Sequence, residues 1–325
     1  MRSVQFERTG IPEDVLGIRE VDQLEPTPGK VRVQVLVSNI NPSDLLFIKG
    51  QYGIVPDLPS AAGIEGIGVV DAGGESTSLQ PGQKVVFTSQ GVWQEYISIP
   101  EFKLIPVPND TPDEIGCQIM VNPLTARRML ELSGLESGQW LLLTAGNSAV
   151  GKFASQLCRL KGINAISTVR HQDISEHLRH LGSKAVINSE QENLVQRTRE
   201  LTHFKGVDAV FDAVGGRLGS EALRCLRSDG EMIIYGALDK EPLQISSGQM
   251  IFHKWRINSF WRTPWMDSLD TQARIEVVHP LLELFAENKL KADIEAIYPM
   301  EDVIEAVKHV QTAGRKGKIL LKIAS

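Results

Sequence analysis

Residues 140–162 read WLLLTAGNSAVGKFASQLCRLKG. An apolar run, then a turn of small residues, then apolar positions at helical spacing predict a strand, a tight turn and a helix. Such a turn gathers free backbone N–H groups and the positive end of the helix dipole at one point, which suits a dinucleotide pyrophosphate. Gly146 and Gly151 let the backbone come close to a ligand, and Asn147, Ser148, Ala149 and Val150 form the turn between them. The spacing is G-N-S-A-V-G, with Ser148 where the dinucleotide fingerprint has its middle glycine. A ligand-free turn would read the same way in isolation, so the surrounding pattern has to decide.

Downstream, the apolar runs NAISTVR (164–170), KAVINS (184–189), VDAVFDAVG (207–215), GEMIIYGAL (230–238) and RINSFW (256–261) alternate with helical stretches. The helical stretches are AVGKFASQLCRLKG, ISEHLRHLG, ENLVQRTRELTHF and RLGSEALRCLRSDG. Strand, helix, strand repeated in this way implies parallel pairing, because a parallel pair needs a long crossover. With residues 140–146 included, the runs make a doubly wound six-stranded parallel sheet, an α/β Rossmann domain.

Upstream, to about residue 118, the text changes to short alternations broken by Gly and Pro, such as VRVQVLVSNI, GIGVVDAGG, QKVVFTSQ, EYISIP and KLIPVP. That spacing predicts a compact antiparallel β domain. Within it, NPSDLLFIKGQYGIVPDLPSAAGIEG (41–66) reads as tight turns around one tyrosine. Beyond residue 265, TQARIEVVHPLLELFAENKLK and EDVIEAVKHVQTAG are helical, and GKILLKIA is a closing strand that returns to the first domain. The expected domains are therefore 1–118 with 266–325, and 119–265.

Bulk properties narrow the function. The 34 basic and 40 acidic residues give a formal charge of −6 with no basic block, which argues against nucleic acid as a partner. No stretch has the roughly 18 uninterrupted apolar residues of a membrane span. The three cysteines, Cys117, Cys158 and Cys225, are widely separated, so neither a disulfide framework nor a zinc site is expected, and a reducing cytoplasm fits them. MRSVQFERTG begins in strand-like alternation without the features of a targeting segment, and the chain is read as untargeted.

The second strand of the parallel sheet identifies the cofactor. A carboxylate about 20 residues beyond the glycines suits the ribose of NAD, whereas an arginine suits the 2′-phosphate of NADP. The strand tip here is Arg170, followed by His171 and Gln172. A guanidinium binds a phosphate through paired charge-assisted hydrogen bonds, so NADPH is expected. Asp173 is close enough to take the same place under a shifted register.

With these residues in place, the chain resembles the medium-chain dehydrogenase/reductase superfamily over essentially its full length. It is most similar to the zinc-free mitochondrial-type 2-enoyl thioester reductases, with a quinone oxidoreductase-like frame. The likeness rests on NPSD with GQYG, on VNPLTARRML, on NSAVG running to TVR, on YGAL, and on FW after the sixth strand. It implies a GroES-like first domain, a homodimer joined through RINSFW, and reduction of an enoyl-CoA or enoyl-acyl-carrier-protein double bond by NADPH. Zinc members have a cysteine and a histidine where this chain has Asn41 and Ile64, ahead of Glu65, so no metal is expected. Glu65 is read as structural.

The resemblance also carries over a set of contacts. It implies that Asn41, Asn122 and Thr125 approach the cofactor, that residues 146–151 hold its pyrophosphate, and that Arg170, His171 and Gln172 surround the adenosine phosphate. Tyr235, Gly236, Ala237 and Leu238 would line the next part of the cleft, with Phe260 and Trp261 near the nicotinamide. Family members have a lysine before the last strand. Gly317 falls there, with Lys316 and Lys318 on either side, and Lys318 is the candidate contact. Arg262 is either a contact to a carrier phosphate or a surface residue.

Hydride addition to C3 of an enoyl thioester leaves an enolate, which needs hydrogen-bond donors at the thioester oxygen and a proton at C2. A phenol stays protonated at neutral pH and can donate. Tyr52, matching the family's active-site tyrosine, is the catalytic candidate. Two readings remain beside this one: reduction of quinones or enones with Tyr52 as cleft wall, and NADPH binding without turnover.

Overall fold

Residues 1–23, 25–171 and 174–324 are described by the computed structural model. They form two compact units, Met1–Val121 with Leu269–Phe285 and Ala292–Ser325, and Asn122–Ser268 with Ala286–Lys291.

In the second unit the strands, in chain order, are Trp140–Leu143, Asn164–Val169, Ser183–Asn188, Val207–Asp212, Leu226–Ile234 and Arg256–Ser259. Across the sheet they lie third, second, first, fourth, fifth, sixth, and every described pairing is parallel. This is the doubly wound order, whose direction reverses beside Trp140–Leu143. Leu142, Ile166, Val210 and Met232 are fully buried in the middle of their strands. Strands covered on both faces become continuous apolar runs, which is why they read so clearly in the sequence.

One boundary departs from expectation. Residues up to 230 were expected to be helical, but the helix Gly216–Leu223 stops earlier and the fifth strand already begins at Leu226. Leu226 is buried and pairs with Val207, and Asp229 takes φ +61° where the register shifts between Val207 and Ala209. Burial of Leu226 in the sheet outweighs the local helical spacing.

The first unit contains a sheet in the order Ile294–Pro299, Lys318–Lys322, Lys30–Asn39, Glu65–Gly73, Lys84–Thr88, Leu104–Pro106, with Tyr96–Pro100 also paired to Lys30–Asn39. A smaller sheet joins Gly17–Glu20, Arg2–Phe6 and Ser60–Ala61. The closing strand runs antiparallel to Lys30–Asn39, with Leu320 opposite Asn39. Val31, Val33 and Val35 alternate into a core that includes Trp93 and the edge-on pair Phe6 and Phe47, whose rings are 5.9 Å apart. Gly63, at φ +93°, leaves room for the indole: a Cβ there would lie 2.2 Å from Trp93 Cδ1.

The stretch expected to be turns after Ile40 contains a helix, Pro42–Ile48. Asn41 caps it, Pro42 opens it, and Asp44 reaches back to the Asn41 amide, a reciprocal capping box that offsets the nucleation cost of so short a helix. Leu45, Phe47 and Ile48 are buried and fasten it to the core. Among the described residues no helix is long and apolar enough to cross a membrane.

Candidate active site

The glycine-containing turn follows the first strand of the parallel sheet. Ser148 caps the helix Ala149–Lys161, and its Oγ accepts the Gly151 amide at 3.1 Å. Ser148 has φ −67° and ψ 160°, an extended backbone that needs no glycine, so the missing middle glycine of the fingerprint costs nothing here. The two flanking glycines are required by packing. A Cβ on Gly146 would lie 2.4 Å from Ser167 Cβ, and one on Gly151 would lie 2.7 Å from the Gly146 carbonyl oxygen. Beneath the turn, Ser155, Ser167 and Ser183 form a closed triangle of buried hydroxyls at 2.8–3.3 Å, joining the helix to the second and third strands.

The other residues expected to face the nucleotide gather along the same C-terminal edge of this sheet. The Gly146 amide donates to Thr168 O at 2.8 Å, two residues before the exposed Arg170 and three before the exposed His171. Gln172, and Asp173 beside it, lie outside the described residues. After the fourth strand, the buried Asp212 accepts from Thr144 Oγ1 and from the amides of Val214 and Gly215 at 2.7–3.1 Å. That carboxylate fixes the loop against which the next segment folds, since the Tyr235 and Leu238 amides donate to Asp212 O and Ala213 O. Gly236 is pressed on Ala213, where a Cβ would sit 2.7 Å from the carbonyl oxygen. Ala237 and Leu238 are exposed, while burial pushes the Tyr235 phenol above its ordinary range beside Ser148.

Asn122 and Thr125 are buried at the start of the helix Asn122–Ser133. Phe260 is buried and tilted against Trp265 at 5.7 Å, whereas Trp261 is 44% exposed and caps the helix Arg262–Asp267. Arg262 is buried, which overturns the expectation of a surface arginine. Arg128 covers the other ring of this group, its guanidinium 5.2 Å from the Trp265 centroid.

The first unit holds a different kind of site. Asn39, Asn41, Asp44, Glu65 and Lys318 are all buried. Lys318 Nζ donates to Asn41 Oδ1 at 2.6 Å and to Ile40 O at 2.8 Å. Asn41 Nδ2 donates to Asn39 Oδ1 at 2.6 Å and to Glu65 Oε2 at 3.1 Å, and the Asn41 amide donates to Asp44 Oδ2 at 2.6 Å. Glu65 also accepts from Asn39 Nδ2 and from the Val121 amide. Burial raises Asp44 to about 7 and lowers Lys318 to about 8, because each charged form has lost its water. Burial also pushes the Cys117 thiol well up.

Lys318, rather than the exposed Lys316, is the lysine turned into this unit, and its ammonium is bonded to Asn41. At the place where zinc relatives have ligands, amides, carboxylates and an ammonium bond one another. Among the described residues no three His, Cys, Asp or Glu side chains are grouped to hold a metal ion.

Tyr52 follows the helix Pro42–Ile48 through Gly50, whose φ is +68°. It is half-buried, and its ring packs on the core of the first unit together with Ile54. Asn39 and Asp44 were not singled out in the sequence, although N-P-S-D ahead of an apolar run is a legible capping signal for Asp44. Asn39 has no local signal of its own.

Two family models match the chain, an alcohol dehydrogenase GroES-like domain over residues 27–109 and a zinc-binding dehydrogenase domain over residues 149–281. The mitochondrial enoyl-[acyl-carrier-protein] reductase of Xenopus tropicalis is 32% identical over 96% of this chain and 92% of its own length. The human protein of that name is 31% identical over 95% and 85%. Among solved structures, a Bacillus thuringiensis protein provisionally named an NADPH:quinone reductase superposes with a TM-score of 0.93 at 31% identity, covering 99% of this chain and 98% of that one. The structure described as an Etr1p/NADP/crotonyl-CoA complex gives 0.87 at 27%, covering 99% of each chain. A glycine turn on a doubly wound sheet, a GroES-like unit and end-to-end similarity agree: the chain belongs to the medium-chain dehydrogenase/reductase superfamily, as a zinc-free member of its enoyl reductase and quinone oxidoreductase group.

Proposed function

We propose that the chain is an NADPH-dependent reductase of 2-enoyl thioesters, adding hydride to C3 and a proton to C2. The observation that carries the substrate class is the end-to-end likeness to enoyl-[acyl-carrier-protein] reductases. The residues of the second unit fit the cofactor: glycines pack the turn tightly, the first turn of the helix offers its amides, and Arg170 stands at the tip of the second strand. Residues 146–151 would hold the pyrophosphate and Arg170 with His171 the 2′-phosphate. A reduced nicotinamide bound there supplies the hydride.

Tyr52 is assigned the proton. Its half-buried position leaves the ring fixed by the core, which orders the hydroxyl without a metal. Asn122, Thr125, Tyr235 and residues 236–238, Phe260 and Trp261 are assigned to the walls around the nucleotide. Reduction of a quinone by the same cofactor is the second reading, favoured by the quinone reductase neighbour.

Crotonyl-CoA and benzoquinone, each followed by NADPH absorbance, separate the two readings. Enoyl turnover that falls about 100-fold or more in Tyr52→Phe is the expected result for a general acid, and undiminished turnover removes the assignment. Arg170→Ala is expected to raise the NADPH KM roughly tenfold or more, the worth of charge-assisted hydrogen bonds to a phosphate, and to leave the NADH KM unchanged.

We also assign a homodimer paired through Arg256–Ser259, the outermost strand of the parallel sheet, since an open edge invites a partner strand. Sedimentation at the 35.9 kDa of one chain would remove it. The three buried free thiols fit a reducing compartment, and we assign the cytoplasm.

A further inference from the structure

The buried cluster of the first unit is expensive to build, and its geometry gives it a task. Two carboxylates and an ammonium lie among fully buried groups, where apolar residues would stabilise the fold at least as well. Among the described residues, the Lys318 ammonium bonds the chain at residues 40 and 41. Asn41 is the hub: its amide oxygen accepts from Lys318, its amide nitrogen donates to Asn39 and Glu65, and its backbone donates to Asp44.

Asn41 is also the cap of the short helix Pro42–Ile48. At its far end the Gly50 amide donates to Phe47 O and the Gln51 amide to Leu46 O, closing the turn that presents Tyr52. The Asn41 cap and the turn carrying Tyr52 therefore stand at the two ends of one short helix. The groups facing Lys318 are Asp44 from this helix, Glu65 from Glu65–Gly73, Cys117, and Arg315 from the approach to its own strand. None of these elements belongs to the second unit.

We propose that Lys318 is a positioning residue which, by holding Asn41, sets the orientation of the turn carrying Tyr52. This rests on the reading of Tyr52 as proton donor. It assigns Lys318 to the substrate chemistry of the first unit and not to the nucleotide.

The protein has four tyrosines, Tyr52, Tyr96, Tyr235 and Tyr298, so 3-fluorotyrosine labelling gives a spectrum simple enough to assign, with Tyr52→Phe identifying the Tyr52 line. In Lys318→Met the Tyr52 line is expected to move while those of Tyr96 and Tyr235 stay in place, the NADPH KM to remain within about twofold, and kcat for crotonyl-CoA to fall about 10- to 100-fold, as a small misplacement of a reacting group does. An unmoved Tyr52 line overturns the proposal, as does a collective shift of all lines. So does a tenfold rise in the NADPH KM, which would mark a nucleotide contact. Should Lys318→Met fail to fold, Lys318→Met with Asp44→Asn removes one carboxylate along with the ammonium, and the same line is read there. A wild-type protein inert toward crotonyl-CoA would remove the proposed function, and Tyr52→Phe at full rate would remove Tyr52 as the proton donor, while the fluorine line would still report whether Lys318 holds the turn.

Discussion

The two candidate regions are built on opposite principles. The glycine turn of the second unit uses backbone amides, glycines and hydroxyls from one short stretch, with Ser148 capping the helix and the serine triangle beneath it. The first unit instead brings charged and amide side chains from residues 39–44, 65 and 318 into a core that excludes water. Turns of the first kind depend on shape and are indifferent to pH. The second kind depends on a balance of charge, and a buried charge that loses its partner is costly.

The sharpest way to break this contrast is Lys318→Met. Removing the ammonium leaves the carboxylates uncompensated and is expected to cost about 3–5 kcal/mol, measured by urea unfolding at pH 7. The cost should grow at pH 9, where the folded protein holds Lys318 neutral while the unfolded chain still keeps its proton, a gain in stability that the variant lacks. A loss that is the same at both pH values would mean that packing, not charge, holds the cluster.

Gly146→Ala tests the other principle. Its new Cβ meets Ser167 Cβ at 2.4 Å and the backbone at 3.1 Å, contacts that no change of rotamer relieves. A loss of about 1–3 kcal/mol is expected, together with weaker NADPH binding, and both should be the same at pH 6 and pH 9. Smaller again is Ser148→Ala, which removes a helix cap worth about 1 kcal/mol. Calorimetry should show it without any change in the pH profile.

The gentlest effect is in the wild-type protein itself. Asp44 binds its proton more tightly when folded, so the stability it lends is complete below the ordinary carboxylate range and lost as pH rises through about 7. Lys318 releases its proton early when folded, so its contribution is complete above the ordinary amine range and lost as pH falls through about 8. These two groups together predict a shallow stability minimum between about pH 7 and 8. Lys318→Met with Asp44→Asn should abolish it.

The same contrast explains what could be read from the sequence. The strands of the parallel sheet were legible because buried strands become unbroken apolar runs, and Gly146 to Gly151 because the whole turn lies within six residues. Asn41 and Lys318 were noticed only through resemblance, as nucleotide contacts, because nothing local to either residue announces a bond between positions 277 residues apart. Arg262 looked like a surface group, since a lone arginine ordinarily is one, yet it is buried at the start of the helix Arg262–Asp267. The early start of the fifth strand was hidden because Leu226 fits a helical spacing as well as a sheet, and only Val207 across the ladder decides between them.

The strand Lys318–Lys322 also has a meaning for how the molecule is made. As the ribosome extends the chain, Lys30–Asn39 emerges before the second unit, and its partner strand Lys318–Lys322 only after it. Residues 122–268 carry their own sheet and can settle while translation continues. The earlier segment of the first unit must wait with an open seam, so it closes only after the unit that follows it has been made.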